Sequence, residues 1–241
     1  MQDAQIHVLP SIDAVVSDLA KWVIEMGNNA ISEHGRFRIA LSGGSTPKAL
    51  YALLAQEPLQ HEIDWARTEV FFGDERDVPP THPDSNYRMA DEALLSRLNP
   101  PPLTVHRWYT EYTPDAALAD YRSHLTENGT LPYPPSLDLI LLGLGPEGHT
   151  ASLFPHQPVL DAQDIVSHVF VPTHQSWRYT VTLPLINQSH HIAFLATGDS
   201  KREIVSQILR EHVDVPASRV RPTKGDVHWF LDKKSARALT T

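Results

Sequence analysis

The sequence predicts an α/β fold: one open, mainly parallel, Rossmann-like sheet with helices on both of its faces. Short apolar runs alternate along the chain with longer segments in which apolar residues recur at helical spacing, as is typical of a parallel sheet with crossover helices. Several of the apolar runs lack polar alternation, which indicates strands covered on both faces. No repeat, low-complexity tract or long linker divides the 241 residues. We therefore expect a single domain over residues 1–241, with room for a small lobe.

The first half of the chain alternates helix and strand. Residues 11–34 are predicted to form an amphipathic helix that Ser11 caps and Gly35 ends. The apolar run at 36–41 predicts a buried strand, and the helix expected after it, over 47–57, has Ser45 or Thr46 as its cap and Pro47 in its first turn. The other elements expected here are an apolar strand within 69–75 that ends at Gly73, a helix at 85–98, a strand at 103–108 and a helix at 113–128 that begins with Thr113 and Pro114.

The second half opens with the most apolar strand of the chain, at 137–145. A capped helix over 199–212 separates the last two of the further strand candidates, which are 166–171, 179–185, 191–197 and 227–232. The proline-rich stretches at 100–102 and 131–136 are short and flank strands, so we expect them to be loops.

Composition excludes several classes of function. A net charge of −9 argues against nucleic acid and anionic membrane surfaces as partners, and it means that an anionic ligand needs a local cationic site. Without cysteine there is no disulfide framework and no thiol chemistry, which fits a reducing compartment. The first residues lack the basic and apolar regions of a signal peptide, and no apolar run reaches membrane-spanning length. We expect a soluble cytoplasmic protein.

The first polar strand end is the stretch Ser42-Gly43-Gly44-Ser45-Thr46, between a buried strand and a helix. Glycines at a helix N-terminus let backbone N–H groups approach an anion, which the helix dipole also favours, and phosphate is the obvious ligand. The alternative is a tight strand-to-helix turn with ordinary capping residues. The stretch lacks the spacing of both the nucleotide P-loop and the dinucleotide-binding loop.

Two further strand ends carry polar or glycine-rich sequence. Ligands of open α/β sheets collect beyond the carboxyl ends of the strands, so these residues are expected to meet the first stretch in space. The second end is the charged run Asp74-Glu75-Arg76-Asp77, in which Glu75 and Asp77 can also be simply exposed. The third runs from Gly143 through Gly145, Pro146, Glu147 and Gly148 to His149.

Together these stretches resemble the 6-phosphogluconolactonase family, which shares a superfamily with glucosamine-6-phosphate deaminase. The resemblance covers nearly the whole chain, and the motifs that carry it are, in order, "LSGGSTP", "GDER", "SNYR", "GHTASLFP", "ATGDSK" and "WFLD". It implies hydrolysis of a small sugar-phosphate lactone, 6-phospho-D-glucono-1,5-lactone, to 6-phosphogluconate in the oxidative pentose phosphate pathway. It implies no cofactor.

The resemblance places the substrate phosphate on the Gly43–Thr46 turn, next to Ser42, with Arg76 and Lys201 as cationic partners. A phosphate in a net-acidic protein needs such charge-assisted donors. Arg178 is a further basic candidate. The alternatives are an exposed lysine for Lys201, an ion pair with Asp74 or Asp77 for Arg76, and a sheet-edge charge for Arg178.

His149 is the expected general base, since lactone hydrolysis needs a water deprotonated as it attacks C1 and neutral imidazole does this near physiological pH. Glu147 is expected to orient the imidazole, although the family usually has Asp there. The alternative is that a neighbouring carboxylate, Asp74 or Glu147, accepts the proton instead of His149. Ser152 lies near His149 but in no nucleophile elbow, which argues against a serine triad. No metal site is predicted, because neither His149 with His156 nor His190 with His191 has standard ligand spacing.

Two rival functions are weighed against the lactonase. A glucosamine-6-phosphate deaminase would share the fold, the phosphate loop and the histidine, but its pattern has Tyr in place of Arg76 and a carboxylate where this chain has Leu153 and Phe154. A non-catalytic sugar-phosphate-binding module of a transcriptional regulator would bring a DNA-binding segment. Residues 1–35 offer one helix and no basic helix-turn-helix.

Overall fold

The structure, a computed structural model, describes residues 4–126 and 136–239 and confirms the predicted fold class. Its strands are β1 (Gln5–Leu9), β2 (Phe37–Leu41), β3 (Thr68–Phe72), β4 (Asp74–Arg76), β5 (Thr104–Val105), β6 (Leu139–Gly143), β7 (Val166–Val171), β8 (Ser176–Val181), β9 (His191–Ala196) and β10 (Asp226–Asp232). Its α-helices are α1 (Ile12–His34), α2 (Ser45–Leu54), α3 (Asn86–Ala93), α4 (Pro114–Thr126), α5 (Leu183–Ile186) and α6 (Arg202–Leu209).

Seven strands form one parallel sheet in the order β1-β10-β9-β6-β2-β3-β5. The middle strands β2 and β3 are buried along their whole length, as the unbroken apolar runs predicted. Strands β4, β8 and β7 form a separate antiparallel sheet, which corresponds to the small lobe. Gly73 links β3 to β4, so the small sheet begins at the carboxyl edge of the large one.

Helix α1 begins and ends where its sequence predicted. Ser11 Oγ accepts a hydrogen bond from the N–H of Ala14 at 3.2 Å, and Gly35 adopts the left-handed C-cap conformation. The Gly35 N–H donates to the carbonyl of Ile31 at 3.0 Å, which closes the last turn.

The predicted cap of α2 is wrong. Gly44 is the N-cap, no side chain in the described part of the chain caps the helix, and Ser45 and Thr46 are its first two residues. The Tyr51 hydroxyl bonds both the N–H and the carbonyl of Ser42 at 2.8 Å, which fixes the backbone just before the turn. The Thr46 hydroxyl bonds that of Thr197 at 2.8 Å instead of the helix backbone. The first N–H groups of α2 therefore have no capping side chain.

Other boundaries differ from the prediction where tertiary contacts outweigh local sequence. Strand β1 was not predicted and pairs along the edge of the sheet with β10. The expected strand at 179–185 stops at Val181, because Thr182 leads into α5, where Pro184 lies in the first turn. The helices expected at 47–57, 85–98 and 199–212 are shorter in the structure. The last of them begins with a 3₁₀ turn at Asp199–Lys201. The strand expected at 103–108 is reduced to the two residues of β5. Residues 127 and 128 of the predicted helix and 131–135 of the proline-rich loop lie outside the described residues.

Within residues 4–126 and 136–239, no helix combines the length and the apolar character needed to cross a membrane.

Candidate functional site

The carboxyl ends of β2, β6 and β9 open onto two adjoining cavities, as the open-sheet rule predicts. Their volumes are about 520 and 220 Å³, and Gly43, Gly44, Gly143, Leu144 and Lys201 line both. The larger cavity also reaches Ser45, Thr46 and Thr197. The smaller cavity is lined on its other sides by Ser42, Asp74, Arg76, Asn86, His149 and Arg178. Every predicted site residue thus lines one or both cavities except Glu147, which instead contacts His149.

Gly43 is required by a close approach to Asn86, the first residue of α3. A Cβ on Gly43 would lie 2.1 Å from Oδ1 of Asn86, far inside contact distance. The amide of Asn86 is buried and donates to the carbonyl of Asp74 at 2.9 Å and to its Oδ1 at 3.2 Å. The absence of a side chain at Gly43 therefore lets Asn86 connect the glycine turn to the start of β4.

Arg76 and Arg178 are register partners in the antiparallel pair of β4 and β8, and both line the smaller cavity. Arg76 donates a hydrogen bond to the carbonyl of Asp84, and Arg178 donates to Ser176 Oγ at 3.4 Å. Among the described residues neither guanidinium forms an ion pair, so the alternative of a pair between Arg76 and Asp74 or Asp77 is not realised. Burial lowers the pKa of Arg178, and the charge of Arg76 lowers it further while Asp74 opposes both. Like charges opposite each other destabilise a sheet, and an anion in the cavity removes that cost.

Lys201 ends the 3₁₀ turn before α6 and lines both cavities, so it is not an ordinary exposed lysine. Burial lowers the pKa of its ammonium group, and the carboxylate of Glu147 opposes that shift. The turn is held in place by Asp232 at the end of β10, whose Oδ1 accepts from the N–H of Gly198 at 2.9 Å. Asp232 belongs to the "WFLD" motif, and it acts on Lys201 by positioning its loop.

His149 lies in the loop after β6 with its ring held on three sides. Its Nδ1 is 3.1 Å from Oε2 of Glu147, and its ring stacks on Phe154 with the centroids 4.1 Å apart. A Cβ on Gly145 would lie 1.9 Å from that Nδ1, so glycine is needed beneath the imidazole. The carboxylate beside Nδ1 favours a proton on that nitrogen, which leaves Nε2 as the basic atom.

The electrostatics keep this imidazole neutral. Burial lowers the pKa of His149, and the carboxylates of Glu147 and Asp74 partly oppose the shift. Burial on its own would raise the pKa of Glu147, but a hydrogen bond from its own backbone N–H and the neighbouring His149 lower it overall. At neutral pH the pair is therefore an unprotonated imidazole beside an ionised carboxylate.

Asp74 is buried and its carboxylate is fixed by hydrogen bonds. Its Oδ2 accepts from Ser152 Oγ at 2.7 Å and its Oδ1 accepts from Asn86. Ser152 is fully buried, and its hydroxyl donates to this carboxylate, so Ser152 is not placed to act as a nucleophile. Asp74 thus supplies negative charge near His149 and Arg178 from a fixed position.

Glu75 is not an exposed charge. It is buried, and its two oxygens accept from the N–H groups of Arg76, Asn86 and Tyr87 and from Ser85 Oγ, over 2.7 to 3.0 Å. Burial raises the pKa of this carboxyl, and those four hydrogen bonds counter the shift. Glu75 therefore ties β4 to the N-terminus of α3, which places Asn86 against Gly43.

Sequence reasoning missed two residues that build the site, Asn86 and Asp232. Both lie within motifs that it had singled out, "SNYR" and "WFLD", but neither was given a role. The sequence did offer a signal for Asn86. Ser85 is a typical N-cap residue and caps α3 by accepting from the N–H of Arg88, so Asn86 directly after it lies at the N-terminus of a helix.

The sequence is similar to those of known proteins along nearly its whole length. Residues 10–229 match the family model described as glucosamine-6-phosphate isomerases/6-phosphogluconolactonase. The chain is 36% identical over 241 residues to a 6-phosphogluconolactonase of Nostoc, with 98% of both proteins covered. It is 37% identical over 235 residues to a chloroplastic 6-phosphogluconolactonase of Arabidopsis thaliana, covering 93% of this chain and 72% of that protein.

Solved structures show the same arrangement of the chain. A 6-phosphogluconolactonase from Trypanosoma brucei superposes with a TM-score of 0.86 at 31% identity, covering 98% of this chain and 99% of that one. A monomeric glucosamine-6-phosphate deaminase superposes with a TM-score of 0.79 at 17% identity, which shows a shared fold alone.

Proposed function

The chain belongs to the family of glucosamine-6-phosphate isomerases and 6-phosphogluconolactonases, and from that premise we propose that it hydrolyses 6-phospho-D-glucono-1,5-lactone to 6-phosphogluconate. It is an enzyme, a carboxylic ester hydrolase of the oxidative pentose phosphate pathway. The observation that carries the proposal is the meeting of a neutral histidine and three cationic side chains, Arg76, Arg178 and Lys201, around one small cavity.

The substrate phosphate lies where Gly43, Gly44 and Lys201 line both cavities, at the N-terminus of α2. Support comes from the N–H groups at that helix end, from the helix dipole, and from the nearby guanidinium groups, which form no ion pair with a described carboxylate. Ser45 and Thr46 contribute their backbone N–H groups at this end. Every hydrogen bond to an ionised phosphate is charge-assisted and about twice as strong as a neutral one, and the cations add the local positive charge that a protein of net charge −9 needs to hold an anion.

His149 acts as the general base. Its Nε2 takes a proton from the water that attacks C1, and the negative charge on the former carbonyl oxygen is stabilised by the cationic lining of the cavity. The bond between C1 and the ring oxygen then breaks, and the imidazolium returns its proton to that oxygen. Glu147 holds the ring in the required tautomer and stabilises the imidazolium, while Asp74 adds to that stabilisation from a fixed position.

The direct test is a coupled assay with freshly generated lactone, corrected for spontaneous hydrolysis, together with an ammonia assay on glucosamine 6-phosphate. We expect accelerated lactone hydrolysis and no ammonia release. Leu153 and Phe154 stand where the deaminase pattern has its carboxylate, and Phe154 packs on His149 without supplying an acid or base. Ammonia release at a comparable rate would overturn the assignment.

We also propose a cytoplasmic location, on the ground that a chain without cysteine fits a reducing compartment. Cell fractionation followed by immunoblotting tests it, and recovery of the protein from an exported fraction would contradict it.

A further inference from the structure

A second cluster of chemically active side chains lies at the amino edge of the sheet, away from His149. His191 is the first residue of β9, Asp226 is the first residue of β10, and His228 follows two residues later. His191 and Asp226 are register partners in the parallel pair, and residues two apart on a strand point to the same face. Six residues of β9 separate this edge from the cavities, about 20 Å along the strand.

The three side chains converge on one point. Nδ1 of His191 is 2.7 Å from Oδ1 of Asp226, and Nε2 of His228 is 3.3 Å from Oδ2 of the same carboxylate. One ligand atom from each residue lies within 4.8 Å of the other two. Two imidazole nitrogens and a carboxylate oxygen are the donors that Zn²⁺ and its neighbours in the first transition row prefer.

His228 supplies an independent observation. The residue is 5% exposed, yet its buried Nε2 makes no hydrogen bond to any residue within 4–126 and 136–239, even though the Asp226 carboxylate is near. Its other nitrogen, Nδ1, lies 3.0 Å from Nε2 of His7 on β1, and the Trp22 ring covers it with the centroids 4.5 Å apart. When His228 carries its proton on Nδ1 and donates it to His7, Nε2 turns its lone pair toward the Asp226 carboxylate, the orientation that a bound cation requires.

We propose that His191, Asp226 and His228 form a binding site for a divalent transition metal ion of the Zn²⁺ class. A tetrahedral Zn²⁺ with bonds of about 2.0–2.1 Å holds its donors roughly 3.3 Å apart, which matches the separation of His228 and Asp226. The distance between Nδ1 of His191 and Oδ1 of Asp226, now 2.7 Å, has to lengthen to a similar value when the ion binds. His7 orients His228 as an outer partner, in the position that a carboxylate, carbonyl or water usually takes beside a metal-binding histidine.

The ion has access from solvent, since the side chains of His191 and Asp226 are 33% and 37% exposed. The site ties β9 to β10 at the edge opposite the cavities, and three protein donors leave one position for water. It is separate from the lactonase proposal, because none of its residues lines either of the two cavities at the carboxyl edge of the sheet.

The test is calorimetric titration of the purified, chelator-stripped protein with Zn²⁺, followed by the visible absorption of Co²⁺ in its place. We expect one tight equivalent for the wild type, with a raised Tm. Asp226→Asn keeps the shape of the side chain but loses the anionic donor, and His7→Phe keeps the ring stacking but loses the outer partner. We expect the affinity to fall at least tenfold in Asp226→Asn and about 10- to 100-fold in His7→Phe.

His34→Gln is the matched control, because His34 also bonds a carboxylate, Nε2 to Oδ1 of Asp138 at 3.0 Å, in a pair outside the proposed site. It is expected to keep the tight equivalent. Equal affinity in the wild type and Asp226→Asn, or a loss in His34→Gln as large as in Asp226→Asn, would overturn the proposal. Circular dichroism of the metal-free variants checks folding, and His191→Gln, at a partly exposed position, replaces Asp226→Asn if that variant does not fold.

Discussion

Arg76 and Arg178 face each other as cross-strand partners in the small antiparallel sheet, and both guanidinium groups line the cavity that also contains His149. The pair brings two positive charges together in a protein of net charge −9. Two like charges opposite each other are unfavourable in the free protein and favourable when an anion lies between them. The same pair therefore affects stability and binding in opposite directions.

Replacing Arg178 separates those two effects. In Arg178→Gln we expect KM to rise and inhibition by inorganic phosphate to weaken about ten- to a hundredfold, because a charge-assisted contact is worth about 1.5–3 kcal/mol. The free energy of unfolding without phosphate should not fall, since the cost of burying the guanidinium, the largest influence on its pKa, is removed together with the repulsion from Arg76. Steady-state kinetics and urea unfolding measure the two quantities. The exposed Arg97→Gln is the control, and unchanged phosphate inhibition in Arg178→Gln would place the anion elsewhere.

Lys201→Ala should mainly weaken substrate binding. Lys201 lines both cavities, and the loss of its ammonium group is expected to raise KM about ten- to a hundredfold with a smaller change in kcat. Lys224→Ala removes an exposed lysine at the other edge of the sheet and should leave KM unaltered. If Lys201→Ala retains the wild-type KM and phosphate inhibition, the lysine does not contact the substrate.

His149→Asn should lower kcat by roughly two to four orders of magnitude, the usual contribution of a general base, while KM changes little. Because burial lowers the pKa of His149 from its ordinary value of 6.5, the imidazole is still neutral when the pH is just below 6.5. Wild-type kcat/KM should therefore fall only when the pH drops below 6.5, and that acid limb should vanish in the variant. Near-wild-type turnover in a folded His149→Asn protein would exclude the role, as would activity restored only by a divalent metal.

Glu147→Gln tests the carboxylate beside the imidazole. The charge of Glu147 raises the pKa of His149 against the effect of burial, so its removal should move the acid limb to lower pH and reduce kcat as well. Glu147→Asp, the residue usual in the family, keeps the charge and should retain the wild-type pH profile. A limb that moves to higher pH in Glu147→Gln would contradict the assigned contact.

Gly43→Ala should destabilise the fold by about 1–3 kcal/mol, the usual cost of overpacking. The new Cβ would lie 2.1 Å from Oδ1 of Asn86, whereas in the control Gly73→Ala the nearest atom to the new Cβ, the carbonyl oxygen of Leu41, is 3.6 Å away. Urea unfolding compares the two variants. Equal stability for both would mean that Asn86 moves away at little cost.

Local sequence was enough to predict α1 with both of its ends and the buried strands β2, β3 and β6. These elements depend on contacts within one segment, such as the Ser11 cap and the Gly35 C-cap, or on unbroken apolar runs. The three polar strand ends could also be predicted from local sequence. In an open parallel sheet, the position of a residue along its strand determines the edge of the sheet at which the residue lies.

The pairing of distant strands was decided by the tertiary structure alone. It set the partnership of Arg76 with Arg178, the approach of Asn86 to Gly43, and the convergence of His191, Asp226 and His228 across 35 or more residues of chain. Spacing in sequence carries no signal for such clusters, since register between strands is chosen by the packing of the whole sheet. The lowered pKa of His149 was also decided by the tertiary structure, because it is caused by burial, which is a property of the folded chain.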